Sequence, residues 1–405
     1  MTGRPAGGME RRDFLRLAAT TAMAPVLGAC GAEGDAAASG RSGAAGDAGA
    51  GELTAEAARA AGWAGYDEAV VIDALAGPIQ FNIPQEALPL RAEALDAVRE
   101  SGITALNLTV NARPEEGATA LETTTAKMAA WRDEVDAHPE TFLLVRPVGA
   151  IGGAKSAGRL GLVFGLQDGV PFEDDLERLA DFHAAGLRIV QPTYNVRNRL
   201  GSGSLVSEDE GLTELGRWAV ARMDELGILL DLSHCGPRTT VDGLRASAGP
   251  ASITHSGCNA VYRHPRSKDD ETLRLMADRG GVLGVYLMPF LNPAGAPTAA
   301  DVIRHVEHAL NVCGEDHVGI GSDQGIVPLD VSGDFPTRFE AVSRQRAAAG
   351  IAAPREDTVP YVPELNHHRR LETIPAMMAS RGHSSAVIDK VLGANLLRLF
   401  SEVWT

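Results

Sequence analysis

The chain predicts an α/β fold: a TIM-like (β/α)8 barrel with extra elements, preceded by a signal peptide and a disordered linker. Three observations carry that reading. From Tyr66 onward, short β-branched apolar runs alternate with charged amphipathic stretches, the pattern of a parallel sheet covered by helices. Eight or nine such units in about 340 residues suit a closed barrel better than an open sheet of unusual width. Neither a G-x-G-x-x-G after the first run nor a G-x-x-x-x-G-K-[ST] occurs, so dinucleotide and P-loop folds lose their main support.

Taken in order, residues 1–29 read as an export signal. Arg11 and Arg12 precede Phe14 and Leu15, and an Ala-rich apolar run follows. That run is shorter than the ~20 residues a spanning helix needs, and the paired arginines fit a twin-arginine signal. The segment closes with Leu27-Gly28-Ala29-Cys30, the form of a lipoprotein cleavage box that leaves Cys30 free for lipidation. Residues 30–60 then form a tether, rich in Ala, Gly, Ser and Asp up to Gly51, which bury too little apolar surface to offset the entropy of ordering. Residues 61–405 form the barrel. The protein is expected outside the cytoplasm, periplasmic or at the cell surface, held to the membrane by its lipid alone.

The expected strands are residues 69–74, 105–110, 141–146, 161–166, 187–193, 227–233, 250–256, 281–287 and 317–323. Helices are expected in PQEALPLRAEALDAVRESG, EDDLERLADFHAAG, TELGRWAVARMDELG and KDDETLRLMADRGG, where acidic residues come early and Gly marks the stop. Residues 332–361, rich in Pro and charge, read as an insertion near the barrel mouth, placed to act as a lid.

A net charge of −16 without clustered Lys or Arg argues against a nucleic-acid surface. The four cysteines form no C-x-x-C pair; apart from Cys30 they read as buried free thiols.

In a barrel of this kind, chemistry gathers where strands end. Those ends carry Asp73, Gln167 with Asp168, Tyr194 with Asn195, His234, His255 and Asp323. His234 and His255 occupy equivalent positions on successive strands, which brings them close together, and Asp323 adds a carboxylate. Two neutral imidazoles and a carboxylate suit one Zn2+ with an open position for water. A hydrogen-bonded polar cluster without metal is the competing reading. No G-x-S-x-G elbow occurs, so a serine hydrolase has no specific support.

The runs PTYNVRNRLGSG, ILLDLSHCG, ITHSGCNAVYRHPRSKDDE, HVGIGSD and GANLLRLF together resemble the membrane dipeptidase family, the renal-dipeptidase-like or M19 peptidases among the amidohydrolase-like metal barrels. The resemblance spans about Tyr66 to Val403. It implies a zinc hydrolase of dipeptides and a homodimer. It also implies His234, His255 and Asp323 as metal ligands, Asp323 and Tyr194 as catalytic groups, and Arg266 as the grip on the substrate carboxylate, with Tyr194 and Asn195 beside it.

Three ligand positions depart from the family pattern, and Tyr194 stands where many members have the histidine that polarises the scissile carbonyl, a place where a phenol can still donate a hydrogen bond. Leu75 and Gly77 stand where an H-x-D pair is expected, and Gln167 stands in place of the bridging Glu. A second zinc therefore has no ligands left, whereas one zinc retains a matched histidine pair, with Asp168 as a further candidate ligand. The expected function is hydrolysis of a dipeptide or related small amide by metal-activated water. A non-hydrolytic metal-barrel enzyme (lyase, isomerase or lactonase) and an inactive substrate-binding relative stay open beside it.

Overall fold

The computed structural model describes residues 53–80, 88–111 and 118–404. The segment expected to be a signal peptide, Cys30 and most of the expected linker lie outside the described residues. Eleven short strands occur among those described: β1 Ile72–Asp73, β2 Ala76–Gly77, β3 Ala105–Thr109, β4 Phe142–Leu144, β5 Leu160–Leu166, β6 Leu187–Val190, β7 Leu229–Leu230, β8 Ser252–Ser256, β9 Val282–Val285, β10 Val318–Ile320 and β11 Gln324–Gly325. Every run expected to be a strand contains one.

The main sheet is parallel, in the order β7-β6-β5-β3-β1-β10-β9-β8. Its two ends meet. Asp231, just past β7, forms a parallel bridge with Ser252 of β8, and the Leu232 N–H donates to the Ser252 carbonyl at 2.9 Å. The eight strands of that order thus close into a barrel. β4 joins β5 over Leu160–Leu162, ahead of the β6 contact at Phe164–Leu166. β2 and β11 form a separate parallel pair just beyond β1 and β10, which the sequence pattern did not anticipate.

The strands are buried on both faces, as their continuous apolar character requires; all seven residues of β5 are buried. Ile72, Ala105, Val163, Ile189, Leu229 and Val282 pack in one cluster with Leu396, Phe400 and Trp404 of the C-terminal segment. Gly393 allows that approach, because a Cβ there would fall 2.2 Å from the Val70 carbonyl oxygen. The last helix, Asn395–Val403, therefore packs at the N-terminal side of β1 and leaves the opposite rim for the site.

The expected helices form with the anticipated caps. Thr213 accepts from the Gly216 N–H at 3.0 Å and Gly227 ends that helix at φ 65°, while Asp269 caps the helix Asp270–Asp278 through the Thr272 N–H. Of the stretch expected to be helical from Pro84, the described part, from Leu88 on, is helical over Ala92–Glu100, since Pro89 removes a donor and disfavours helical backbone at Leu88. Residues 332–361 carry a helix, Phe335–Ala348, whose Phe335, Phe339, Val342, Ser343 and Arg346 wall a cavity at the barrel mouth. Cys235, Cys258 and Cys313 are free and buried, as expected. Among the described residues no helix is long and apolar enough to cross a membrane.

Candidate active site

The C-terminal ends of the strands surround a cavity of about 300 Å3 lined on the barrel side by Gln167, Tyr194, His234, Arg266 and Asp323, and on the insertion side by Arg346 and Glu356. Leu75 and Gly77 line it too. The three departures from the family pattern thus face the same space as the residues that match it.

His234 follows β7 and His255 lies in β8; their ring centroids are 4.9 Å apart. The hydrogen bonds behind each ring set its proton. Asn195 Nδ2 donates to the Ile351 carbonyl at 2.9 Å, so its Oδ1 is the acceptor for the Ser204 hydroxyl and for His234 Nδ1 at 2.7 Å. His234 Nδ1 accordingly carries a hydrogen and Nε2 a lone pair. Behind His255, Thr254 Oγ1 donates to Asp231 Oδ2 at 2.5 Å and meets His255 Nδ1 at 2.8 Å. The threonine proton is committed to Asp231, so His255 Nδ1 is the donor and Nε2 again holds a lone pair. Asp231 also accepts from Ser233 Oγ and from the Ser233 and Thr254 N–H groups. Four donors on one buried side chain require a carboxylate, although burial pushes its pKa upward.

Burial and then the Arg266 cation hold both histidines well below the usual imidazole range, so both rings are neutral. His255 Nε2 is buried without a hydrogen-bond partner. His234 Nε2 accepts from Arg266 Nη2 at 3.1 Å, and Arg266 Nη1 donates to the Ser233 carbonyl. Burial pushes the Asp323 carboxyl up to about 7, with the Arg266 cation opposing it. Asp323 occupies a left-handed backbone position, φ 54°, anchored by its N–H to the Leu75 carbonyl at 2.8 Å.

Tyr194 stacks on His234 at 4.1 Å between centroids. Its oxygen accepts from Arg346 Nη2 at 3.2 Å, which leaves the phenolic hydrogen free to donate. Arg346 is in turn paired with Glu356 through Nε at 2.7 Å and Nη2 at 3.0 Å.

Two expected roles need correction. Asn195 is fully buried and its amide is spent on His234, Ser204 and Ile351, so it positions His234 and does not line the cavity. Asp168 is held by Asn198 Nδ2 at 2.8 Å and the Val170 N–H at 3.2 Å, and it is not among the residues that line the cavity. Arg346, Glu356 and Lys127, which also lines the cavity, escaped the sequence reading. They come from an insertion and a helix, where no strand-end rule points to them.

The histidine pair offers donors that suit a zinc ion. Two neutral imidazoles present preset Nε2 lone pairs, one of them buried without a partner, which is the chemistry zinc takes. Leu75, Gly77 and Gln167 offer nothing comparable. Among the described residues no three His, Cys, Asp or Glu side chains stand assembled as a metal site. Arg266 lies against His234 Nε2, and Asp323 does not complete a triad with the histidine pair.

Residues 77–346 match the family model of membrane dipeptidase, peptidase family M19. This chain belongs to the membrane dipeptidase family. An uncharacterised protein of the pqqA 5′ region in Klebsiella pneumoniae is 30% identical over 257 residues, 60% of this chain and 83% of that protein. Dipeptidase tcpJ of Claviceps purpurea is 30% identical over 228 residues, 55% of this chain and 46% of that protein, so the match spans about half of the relative. An amidohydrolase structure from Pseudomonas aeruginosa superposes with a TM-score of 0.71 at 28% identity, over 87% of this chain and 99% of that one. Members of the membrane dipeptidase family are metal-dependent hydrolases, and these homologues point to a metallo-hydrolase enzyme.

The hydrogen bonds behind His255 carry a direct expectation. Thr254→Val removes the acceptor that fixes the His255 tautomer, and zinc affinity should fall by about 10–100-fold. Chelator competition measures it, with the melting temperature as a control on the fold. An unchanged affinity would remove that tautomer-setting role.

Proposed function

We propose that this chain is an exported lipoprotein that hydrolyses the amide of a small dipeptide-like substrate with a single zinc ion. The observation that carries the reading is the pair of preset Nε2 lone pairs on His234 and His255, whose rings lie 4.9 Å apart, with His234 lining one cavity beside Arg266, Tyr194 and Asp323.

Bound at the two imidazoles, zinc supplies a Lewis acid and a water acidified to near neutral pH. Arg266 leaves His234 and takes the substrate carboxylate, for which a planar, permanently charged fork is suited. Tyr194, held by Arg346 with its own hydrogen free, donates to the carbonyl oxygen as negative charge develops there. Burial keeps the phenol protonated for that task. Asp323, at the cavity wall, takes the proton released by the attacking water and returns it to the leaving amine. The helix Phe335–Ala348 restricts water at the mouth.

Elemental analysis of the purified chain, followed by a panel of L,L- and L,D-dipeptides, N-acyl amino acids and lactones, tests this. About one zinc per chain with amide hydrolysis is the expected result. No metal binding and no turnover, with ligand binding retained, would leave a binding protein instead. For export, Cys30→Ser should move the protein from the membrane fraction to the soluble fraction; unchanged partition would remove the lipid anchor.

A further inference from the structure

The cavity carries a charge pattern opposite to that of the molecule. The chain as a whole has a net charge of −16, yet three cations, Lys127, Arg266 and Arg346, line this one space against Asp323 and Glu356. Arg346 is neutralised by its two hydrogen bonds to Glu356. The other two are not. Arg266 donates to a carbonyl and an imidazole, and Lys127 Nζ donates to the Asn111 carbonyl at 3.3 Å. Neither is ion-paired to a carboxylate among the described residues.

The two uncompensated cations stand on opposite sides of the mouth. Lys127 lies on the helix Ala120–Ala137 that follows β3, and its partner Asn111 also holds the Gln167 N–H at the end of β5. Arg266 meets the ends of β7 and β8. In the closed strand order β3 and β8 are four places apart, which brings the two cations in from separate walls and suits two carboxylates better than one. Between them lie Asp323 and the apolar side chains of Leu75, Leu108 and Met288. Burial alone moves the Lys127 ammonium down to about 8, which fits a cation without an anionic partner.

Resting on the hydrolase reading above, we propose that the site selects dianionic substrates. These are amides that join an amino acid, its α-carboxylate on Arg266, to an acyl group bearing a second carboxylate, received by Lys127. An acyl group derived from a small dicarboxylic acid meets that requirement.

Calorimetry on the purified full chain, with EDTA present to suppress turnover, compares N-succinyl-L-alanine with N-succinamoyl-L-alanine. The second differs only in an uncharged amide at the far end. The dianion should bind about tenfold more tightly or better. Lys127→Met should bring the two affinities together without weakening the monoanion, and Lys127→Arg should keep most of the preference. Equal affinities in the natural protein, a preference that survives Lys127→Met, or failure of both compounds to bind would each overturn the proposal. Turnover of the same compounds with zinc supplied separates the two readings. A dianion preference without turnover supports the Lys127 site and removes only the hydrolase.

Discussion

Replacing Asp323 with Asn is expected to lower kcat/KM on a hydrolysed amide by ~10²–10⁴-fold, the range for losing a positioned proton carrier. The substitution is nearly isosteric, and Asn tolerates the left-handed backbone that Asp323 adopts at φ 54°, so the fold should survive. The replaced group is the carboxyl that burial raises to about 7 beside the Arg266 cation. An amide cannot accept and return a proton in its place. Steady-state kinetics measure the loss, and zinc content measured on the same sample divides its cause. Loss of metal with rate marks Asp323 chiefly as a ligand; retained metal marks it as the proton carrier. A rate within tenfold of the natural protein would remove Asp323 from the chemistry.

His234→Ala should have the larger effect, with zinc lost and hydrolysis reduced to the uncatalysed background. It deletes one of two preset Nε2 donors, and His255 alone makes a poor zinc site. It also strips the stacking partner of Tyr194 at 4.1 Å and frees the Asn195 amide, so some stability should be lost as well. His234→Gln, which keeps much of the volume and a polar end, separates the two effects. If it melts near the natural temperature yet binds no zinc, the loss lies in coordination. Zinc retained at full stoichiometry in both variants would contradict the assignment.

The parts of this site legible in the sequence share one property: each is a local consequence of a strand end. Apolar runs of strand length ending in His234, His255 and Asp323 place those groups on one rim once a barrel is assumed. The departures at Leu75, Gly77 and Gln167 were readable only against the pattern that the family resemblance implies. Membership of the membrane dipeptidase family, shown by the match over residues 77–346, agrees with what those motifs implied. Asp168 and Asn195 were misread for the complementary reason. Their types and positions suited a ligand and a substrate contact, but side-chain direction depends on which neighbour takes the hydrogen bond. For Asn195 that neighbour is Ile351, 156 positions away.

What the sequence by itself determined is the order of the elements, the side of the sheet on which chemistry gathers, and which residue types stand at the strand ends. Periodicity, caps and residue type are properties of adjacent positions, so they can be read without a fold. Only the tertiary structure decided which ring nitrogens keep a lone pair, that Arg266 rests on His234, that Arg346 and Glu356 hold Tyr194, and that Lys127 lines the same cavity. Each depends on contacts between segments far apart in the chain, whose meeting follows from closing the sheet into a barrel and packing helices and an insertion around its rim.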